Sequence, residues 1–250
     1  MTLAELMTLI KHKSISRTFH NVSQYCNHPC AGGSKRLPNK NKLPLAGKPL
    51  ITWTIEAALE SQLFDLVLVS TDSQDIANIS ANSGAVVPYL RPAELATDTA
   101  TTNDVISHMV KWVESQYGEV ARVTLLQPTS PLRNANHIKE AMALYDMKNA
   151  SAVISICELE HPIQYCNRLP DNLCMAGFIP NIANRRSQEL ECYYRVNGAI
   201  YIFDKQYIGS LSDIYSNNSF AYIMEKSASI DIDDAFDLYL SEFIKNRKPT

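Results

Sequence analysis

From Leu63 onward the chain alternates short, β-branched apolar runs with longer stretches whose apolar residues recur every three or four positions. The first pattern suits strands buried on both faces and the second suits helices that bury one stripe, so the alternation predicts an α/β sheet joined by crossover helices. Strands are expected at Leu66–Ser70, Val86–Leu90, Arg122–Leu126, Ala152–Ile156 and Gly198–Phe203, and helices at Ile51–Glu60, Gln74–Ser83, Thr102–Gln116 and Ala135–Met147. A last helix, Asp234–Ile244, carries Phe236, Leu238, Tyr239 and Phe243 at a spacing that predicts a core-facing stripe. Between Glu158 and Tyr193 the periodicity lapses, and Pro162, Pro170, Pro180 and paired arginines mark an excursion from the sheet. Segments this long inside a compact domain are usually functional or interface-forming.

Composition narrows the class. The 250 residues are 46% hydrophobic and 20% charged, enough apolar material for one sizeable core and too much for a disordered chain. A net charge of −3 offers no basic field for nucleic acid, and no apolar run approaches the ~18 residues of a membrane span. Six cysteines without a CxxC pair, and a start without a leader-like apolar core, predict free thiols in a reducing compartment, the cytoplasm.

Three segments carry chemistry. Ala31–Asn41 sets Gly32 and Gly33 before Ser34, Lys35, Arg36, Lys40 and Asn41, a composition suited to backbone amides wrapping a polyphosphate that lysines neutralise, although the Walker spacing is absent. Leu126-Gln-Pro-Thr-Ser-Pro-Leu-Arg133 follows a buried strand, where an α/β sheet opens its ligand crevice. In Ser229-Ile-Asp-Ile-Asp233, Asp231 and Asp233 stand at strand-like spacing, so both carboxylates face one side and suit a hard divalent cation.

In this order, GGSKRLPNKN, the Ser70-Thr-Asp72 after the second strand, LRPAELATDTATT, LLQPTSPLR, the Arg-Arg-Ser-Gln-Glu-Leu run, NGAIYIF and SIDID resemble the CMP-sialic acid synthetases, or acylneuraminate cytidylyltransferases. The resemblance covers nearly everything from Gly32 onward. It implies a Rossmann-like nucleotidyltransferase fold, a mostly parallel mixed sheet flanked by helices, and a homodimer exchanging the 158–193 excursion. The implied reaction joins CTP to a nonulosonic acid, most directly N-acetylneuraminate, with release of pyrophosphate. Legionaminic, pseudaminic and Kdo cytidylyltransferases are the neighbouring alternatives. By motif position, Lys35 and Lys40 meet the triphosphate, with Lys40 on the phosphorus under attack. Gly32, Gly33, Ser34 and Asn41 shape the loop, Arg91 and Thr102 bind cytidine, and Gln127 orients the sugar acid. Tyr201 lines its pocket, Arg186 approximates an arginine of the partner arm, and Asp231 with Asp233 holds Mg2+. Such roles fit nucleotidyl transfer, which needs positioning and charge neutralisation more than covalent help.

The N-terminus departs from the family, whose buried first strand reads close to IAIIPAR and runs directly into the glycine loop. Here the segment is Tyr25-Cys-Asn-His-Pro-Cys-Ala31, and a central strand is an unfavourable place for Asn27 and His28. Written as TAT TGC AAT CAT CCC TGC GCN and read one base later, the codons give Ile-Ala-Ile-Ile-Pro-Ala and then a possible Arg. A frameshift near Ala31 is therefore expected, making residues 1–30 an aberrant segment ahead of a cytidylyltransferase domain at 31–250. The chain as written would then be impaired, at most binding nucleotide or dimerising. His20, Cys26, His28 and Cys30 lack a recognised zinc spacing, so no zinc site is expected there.

Overall fold

The computed structural model describes the backbone of residues 22–26 and, in full, residues 37–97, 99–179 and 190–247. Six strands form one sheet: β1 (Val22–Cys26), β4 (Leu66–Ser70), β5 (Arg122–Leu125), β6 (Ala152–Glu158), β7 (Tyr194–Asp204) and β8 (Ser219–Ile223). A two-stranded hairpin joins β2 (Pro44–Leu45) to β3 (Lys48–Pro49). The sheet runs β4-β1-β5-β7-β6-β8, with every pairing parallel except the two made by β7. The mostly parallel mixed sheet expected from the sequence is present.

Helices α1 (Leu50–Ser61), α2 (Gln74–Asn82), α3 (Thr102–Tyr117), α4 (Ala135–Lys148) and α5 (Ala235–Asn246) lie within a few residues of their expected limits. Alternation along the strands builds two cores. Val67, Val69, Val153, Ile200 and Ile202 pack on Ile51 and Ile55 of α1 and Ile138 and Met142 of α4. Leu66, Leu68, Val123, Leu125 and Phe203 pack on Val105, Ile106, Met109 and Val113 of α3. With side chains pointing alternately to opposite faces, a sheet covered on both sides must be apolar at nearly every position, and all five β4 residues are buried. Among the described residues no helix is long and apolar enough to cross a membrane.

Two expectations are corrected. Val86–Leu90 is not a continuous strand: only Val86 and Leu90 bridge, to Leu68 and Thr71. Pro88 between them has no N–H to give a ladder. The aromatic stripe of α5 does not face the core, since Phe236, Tyr239 and Phe243 are 72%, 70% and 59% exposed. The face turned inward instead carries Leu238, Ser241 and Lys245: Leu238 packs beside Leu45, Leu50 and Ile232, Ser241 is buried, and the Lys245 ammonium lies over the Trp53 ring. Periodicity says which residues share a face, not which face meets the protein.

The backbone of Val22–Cys26 fills the slot between β4 and β5, so the segment expected from the sequence to be aberrant contributes Tyr25 and Cys26 to an interior strand. Asn27, His28 and the rest of that segment to Ala31 lie outside the described residues.

Candidate active site

The chain leaves β1 toward β4 on one side and later returns to β5 on the other. The crevice at the carboxyl ends of β1 and β5 is therefore a topological switch point, where open α/β sheets bind ligands. The Gln127–Arg133 turn follows β5, and antiparallel β7 brings its beginning to the same end.

Downstream of the glycine pair, Lys40–Lys42 form a 3-10 turn entered through Asn39 in the left-handed region (φ 56°). The β2–β3 hairpin turns at Ala46 and Gly47, both with positive φ, as a two-residue hairpin requires. Leu45 and Leu50 then bury against Ile232, joining this segment to the far end of the chain. That small core carries Lys40 to its target: its Nζ donates to the Ile232 carbonyl at 2.8 Å and pairs with Asp233 Oδ1 at 3.4 Å. Asn41 is buried beside it.

Opposite, the Ile232 N–H donates to the Thr129 carbonyl at 2.8 Å, stitching the Asp231–Asp233 segment to the turn after β5. Burial alternates as an extended chain demands, with Ile232 in the small core and Asp231 and Asp233 turned the other way. Gly198 of β7, at φ +77°, makes room for the site. A Cβ there would lie 2.5 Å from Gln127 Oε1 and 3.9 Å from Asp231 Oδ2, so the Gln127 amide and the Asp231 carboxylate both approach the bare backbone of Gly198.

Burial is the largest influence on Asp231 and pushes its pKa up; Asp233 and Asp237 add to this, while a hydrogen bond from Thr129 and the Lys40 charge oppose it. Its Oδ1 is buried with no hydrogen-bond partner among the described residues. A crowded, partly desolvated carboxylate pair with an orphan oxygen is a donor set that a hard cation would relieve, so these residues fit Mg2+. Among the described residues no group of three or more His, Cys, Asp or Glu side chains forms a metal cage.

Arg91, 4% exposed, pairs with Asp72 at 3.3 Å, tying together two of the segments read from the sequence. Thr102 opens α3 behind a reciprocal cap between Thr101 and Asp104. Tyr201 pairs with Leu125 and Ile154 in mid-sheet; burial, with Tyr215 and Asp231 nearby, pushes its pKa up to about 12. Gly32, Gly33, Ser34, Lys35 and Arg186 lie outside the described residues.

The sequence reading assigned no role to Arg133, which is 1% exposed and, among the described residues, the largest fully buried side chain. Its guanidinium donates to Thr54 Oγ1 at 2.7 Å, to the Ala199 carbonyl at 3.2 Å and to the Gln127 carbonyl at 3.3 Å. It thereby fastens the backbone of Gln127 to β7 and α1. The only signal was its place at the end of the QPTSPLR run.

The N-acylneuraminate cytidylyltransferase of Escherichia coli O18:K1:H7 is 40% identical over 222 residues, covering 88% of this chain and 51% of that protein. The chain thus spans about half the length of that relative. The CMP-N,N'-diacetyllegionaminic acid synthase of Legionella pneumophila is 35% identical over 223 residues, 86% of this chain and 92% of that one. A solved CMP:2-keto-3-deoxy-manno-octonic acid synthetase complexed with CTP superposes with a TM-score of 0.65 over 90% of this chain and 98% of that one; at 16% identity it bears on the fold alone. The cytidylyltransferase profile matches residues 29–227, the stretch that holds the described loop, the turn after β5 and β7, so that the chain belongs to the cytidylyltransferase family.

Proposed function

We propose that the chain transfers CMP from CTP to the anomeric hydroxyl of a nonulosonic acid, N-acetylneuraminate first among them, and releases pyrophosphate. The observation that carries this reading is the meeting of Lys40 with Asp233 at the switch-point crevice, where Gln127 and Asp231 both approach Gly198. The hydroxyl oxygen forms a bond to the α-phosphorus as the bond from that phosphorus to the β-phosphate bridge breaks; the hydroxyl proton passes to solvent. Lys40 bears on the charge developing on the α-phosphate, and Gln127 orients the sugar acid beside Tyr201. Arg91 and Thr102 hold the cytidine, while Gly32, Gly33, Ser34, Lys35 and Asn41 wrap the triphosphate. Asp231 and Asp233 would hold Mg2+, which when bound would neutralise phosphate charge.

The same reading includes a cytoplasmic homodimer joined through the 158–193 excursion, where Leu169, Leu173 and Met175 are 52%, 68% and 57% exposed. Arg186 then reaches the partner's sugar acid. Legionaminic and pseudaminic acids are the rival acceptors, the first supported by the Legionella similarity. We also infer a frameshift near Ala31, supported by the family match beginning at residue 29.

The test is CTP-dependent pyrophosphate release, with Mg2+ and each acid in turn, by the chain as written and by one carrying Ile-Ala-Ile-Ile-Pro-Ala at Tyr25–Cys30. Turnover of N-acetylneuraminate, greater with the replaced strand, is expected. Turnover of Kdo alone would overturn the acceptor class, equal stability and activity in the two chains would refute the frameshift, and resequencing the codons of Cys30–Gly33 decides the latter directly.

A further inference from the structure

Where β7 passes β6 the ladder breaks: Ile154 faces Tyr201 while Ile156 faces Val196, leaving Asn197, Gly198, Ala199 and Ile200 opposite Ser155 alone. A buried polar network holds this bulge. Ser155 Oγ accepts from the Ile200 N–H at 2.7 Å and donates to Asn197 Oδ1 at 2.6 Å, which also takes the Ala199 N–H at 3.2 Å. The other end of Asn197 leaves the bulge, its Nδ2 donating to Ser229 Oγ at 2.9 Å, and Ser229 Oγ donates to the Glu225 carbonyl at 2.7 Å. Arg195, two residues earlier on β7, donates from Nη2 to the Ser229 carbonyl at 3.3 Å and pairs with Glu160 at 3.0 Å. Ser155, Asn197 and Ser229 are 0%, 2% and 0% exposed.

Both ends of this network abut the crevice. Gly198, next to Asn197, is the backbone that both Gln127 and Asp231 approach, and Ser229 lies two residues before Asp231. Two side chains of β7 therefore grip one residue of the acidic segment by its hydroxyl and its carbonyl. Burying three polar side chains is costly unless all are satisfied, and here they are satisfied by one another and by backbone. An apolar trio would fill the same volume but would leave the spacing between β7 and the acidic segment unspecified.

We propose that Asn197, acting through Ser229, is a positioning residue that sets the Asp231 carboxylate at Gly198, which Gln127 also approaches, and so fixes the cation site relative to the sugar-acid site. This rests on the reading of Asp231 as a cation holder. The experiment measures Mn2+ binding to the full chain by electron paramagnetic resonance, beside thermal unfolding and CMP transfer, for the parent, Asn197→Ala, Ser229→Ala, Ser229→Thr and Asp231→Asn. Asp231→Asn should abolish Mn2+ binding. Asn197→Ala and Ser229→Ala should each weaken it at least tenfold in protein that remains folded, their combination no further, and Ser229→Thr, which keeps the hydroxyl, should restore it to within threefold. Unchanged Mn2+ affinity in folded Ser229→Ala or Asn197→Ala, with only a lower unfolding temperature, would reduce the network to a structural role and overturn the proposal. Mn2+ binding that survives Asp231→Asn would overturn it as well. Asp231-dependent, network-dependent Mn2+ binding without CMP transfer to any acid would instead leave the positioning intact and sink the proposed activity.

Discussion

The two ends of the sheet are both polar, and they differ in how their charges are compensated. Where the parallel strands begin, a cavity of about 490 Å3 is lined by Arg122, Tyr145, Asp146, Asp204, Gln206 and Asn218 among others. There Arg122 pairs with Asp146 at 3.2 Å and covers the Tyr145 ring at 4.1 Å, while the Tyr145 hydroxyl donates to Asp204. Lys205 nearby pairs with Glu114 at 2.6 Å and Glu119 at 3.7 Å. Charges at this end answer one another. At the opposite end burial, with Asp233 and Asp237 nearby, raises the Asp231 pKa, and among the described residues its Oδ1 has no hydrogen-bond partner. A polar hollow whose charges are satisfied is structure; a buried charge left short of partners awaits a ligand.

The comparison breaks most visibly at Asp231. Asp231→Asn should lower CMP transfer on the order of 1000-fold, near the upper end of what one lost electrostatic contact costs. Because the folded state disfavours the ionised carboxyl, its penalty on folding is present above the raised pKa and relieved as pH falls. The amide should therefore leave the urea midpoint at pH 7.5 unchanged or higher. A large loss of stability with modest loss of turnover would make Asp231 a structural group.

Lys40→Ala comes next. If the ammonium acts on charge that develops only during the reaction, the single-turnover rate should fall by about 100-fold or more. A normal single-turnover rate would place Lys40 with the compensated charges of the other end.

Lys245 sharpens the contrast as a cation held mainly by an aromatic ring. Burial chiefly, with the Lys48 and Arg133 charges, pushes its pKa down to about 8 against Glu56 and Glu60, although its ammonium lies 3.7 Å from the Trp53 ring centroid. The ring favours the charged form, so a folded value between about 8 and the ordinary 10.5 is consistent with both influences. A folded value below the unfolded one means the unfolded chain binds more protons in that window, so stability should rise with pH from about 8 toward 10.5. Urea midpoints at pH 7.5 and 9.5 should show that rise in the parent and lose it in Lys245→Met. An equal slope in both would assign the rise to other groups.

Arg122→Gln should have the smallest effect. Losing a half-exposed ion pair and a ring contact costs about 1 kcal/mol, read from urea unfolding, with transfer rates within twofold of the parent. A marked fall in transfer would mean that the cavity at this end is coupled to the crevice.

Much of this molecule was legible from its sequence because the information is local. Four of the five expected strands and all five helices follow from apolar periodicity, and the caps at Thr101 and Asp234 reinforce two of the helices. The chemistry-bearing segments were equally plain, since a Gly-Gly-Ser-Lys loop, a QPTSPLR turn and an Asp-x-Asp stand out at fixed spacing. What each segment faces was not local. Lys40 meets Asp233 across 193 positions because Leu45, Leu50 and Ile232 share a core, which no window of sequence contains. Likewise the fit of Gln127 over Gly198, the burial of Arg133 and the network through Ser229 arise where β5, β7 and the acidic segment converge. The aromatic residues of α5 make the same point from the other side: their spacing fixed them to one face, and packing turned Leu238, Ser241 and Lys245 inward instead. Backbone geometry and side-chain spacing are set over a few residues, so the sequence alone determined the elements and the candidate chemistry. Which of those residues became neighbours was decided by long-range packing of apolar surface, and only the tertiary structure holds that.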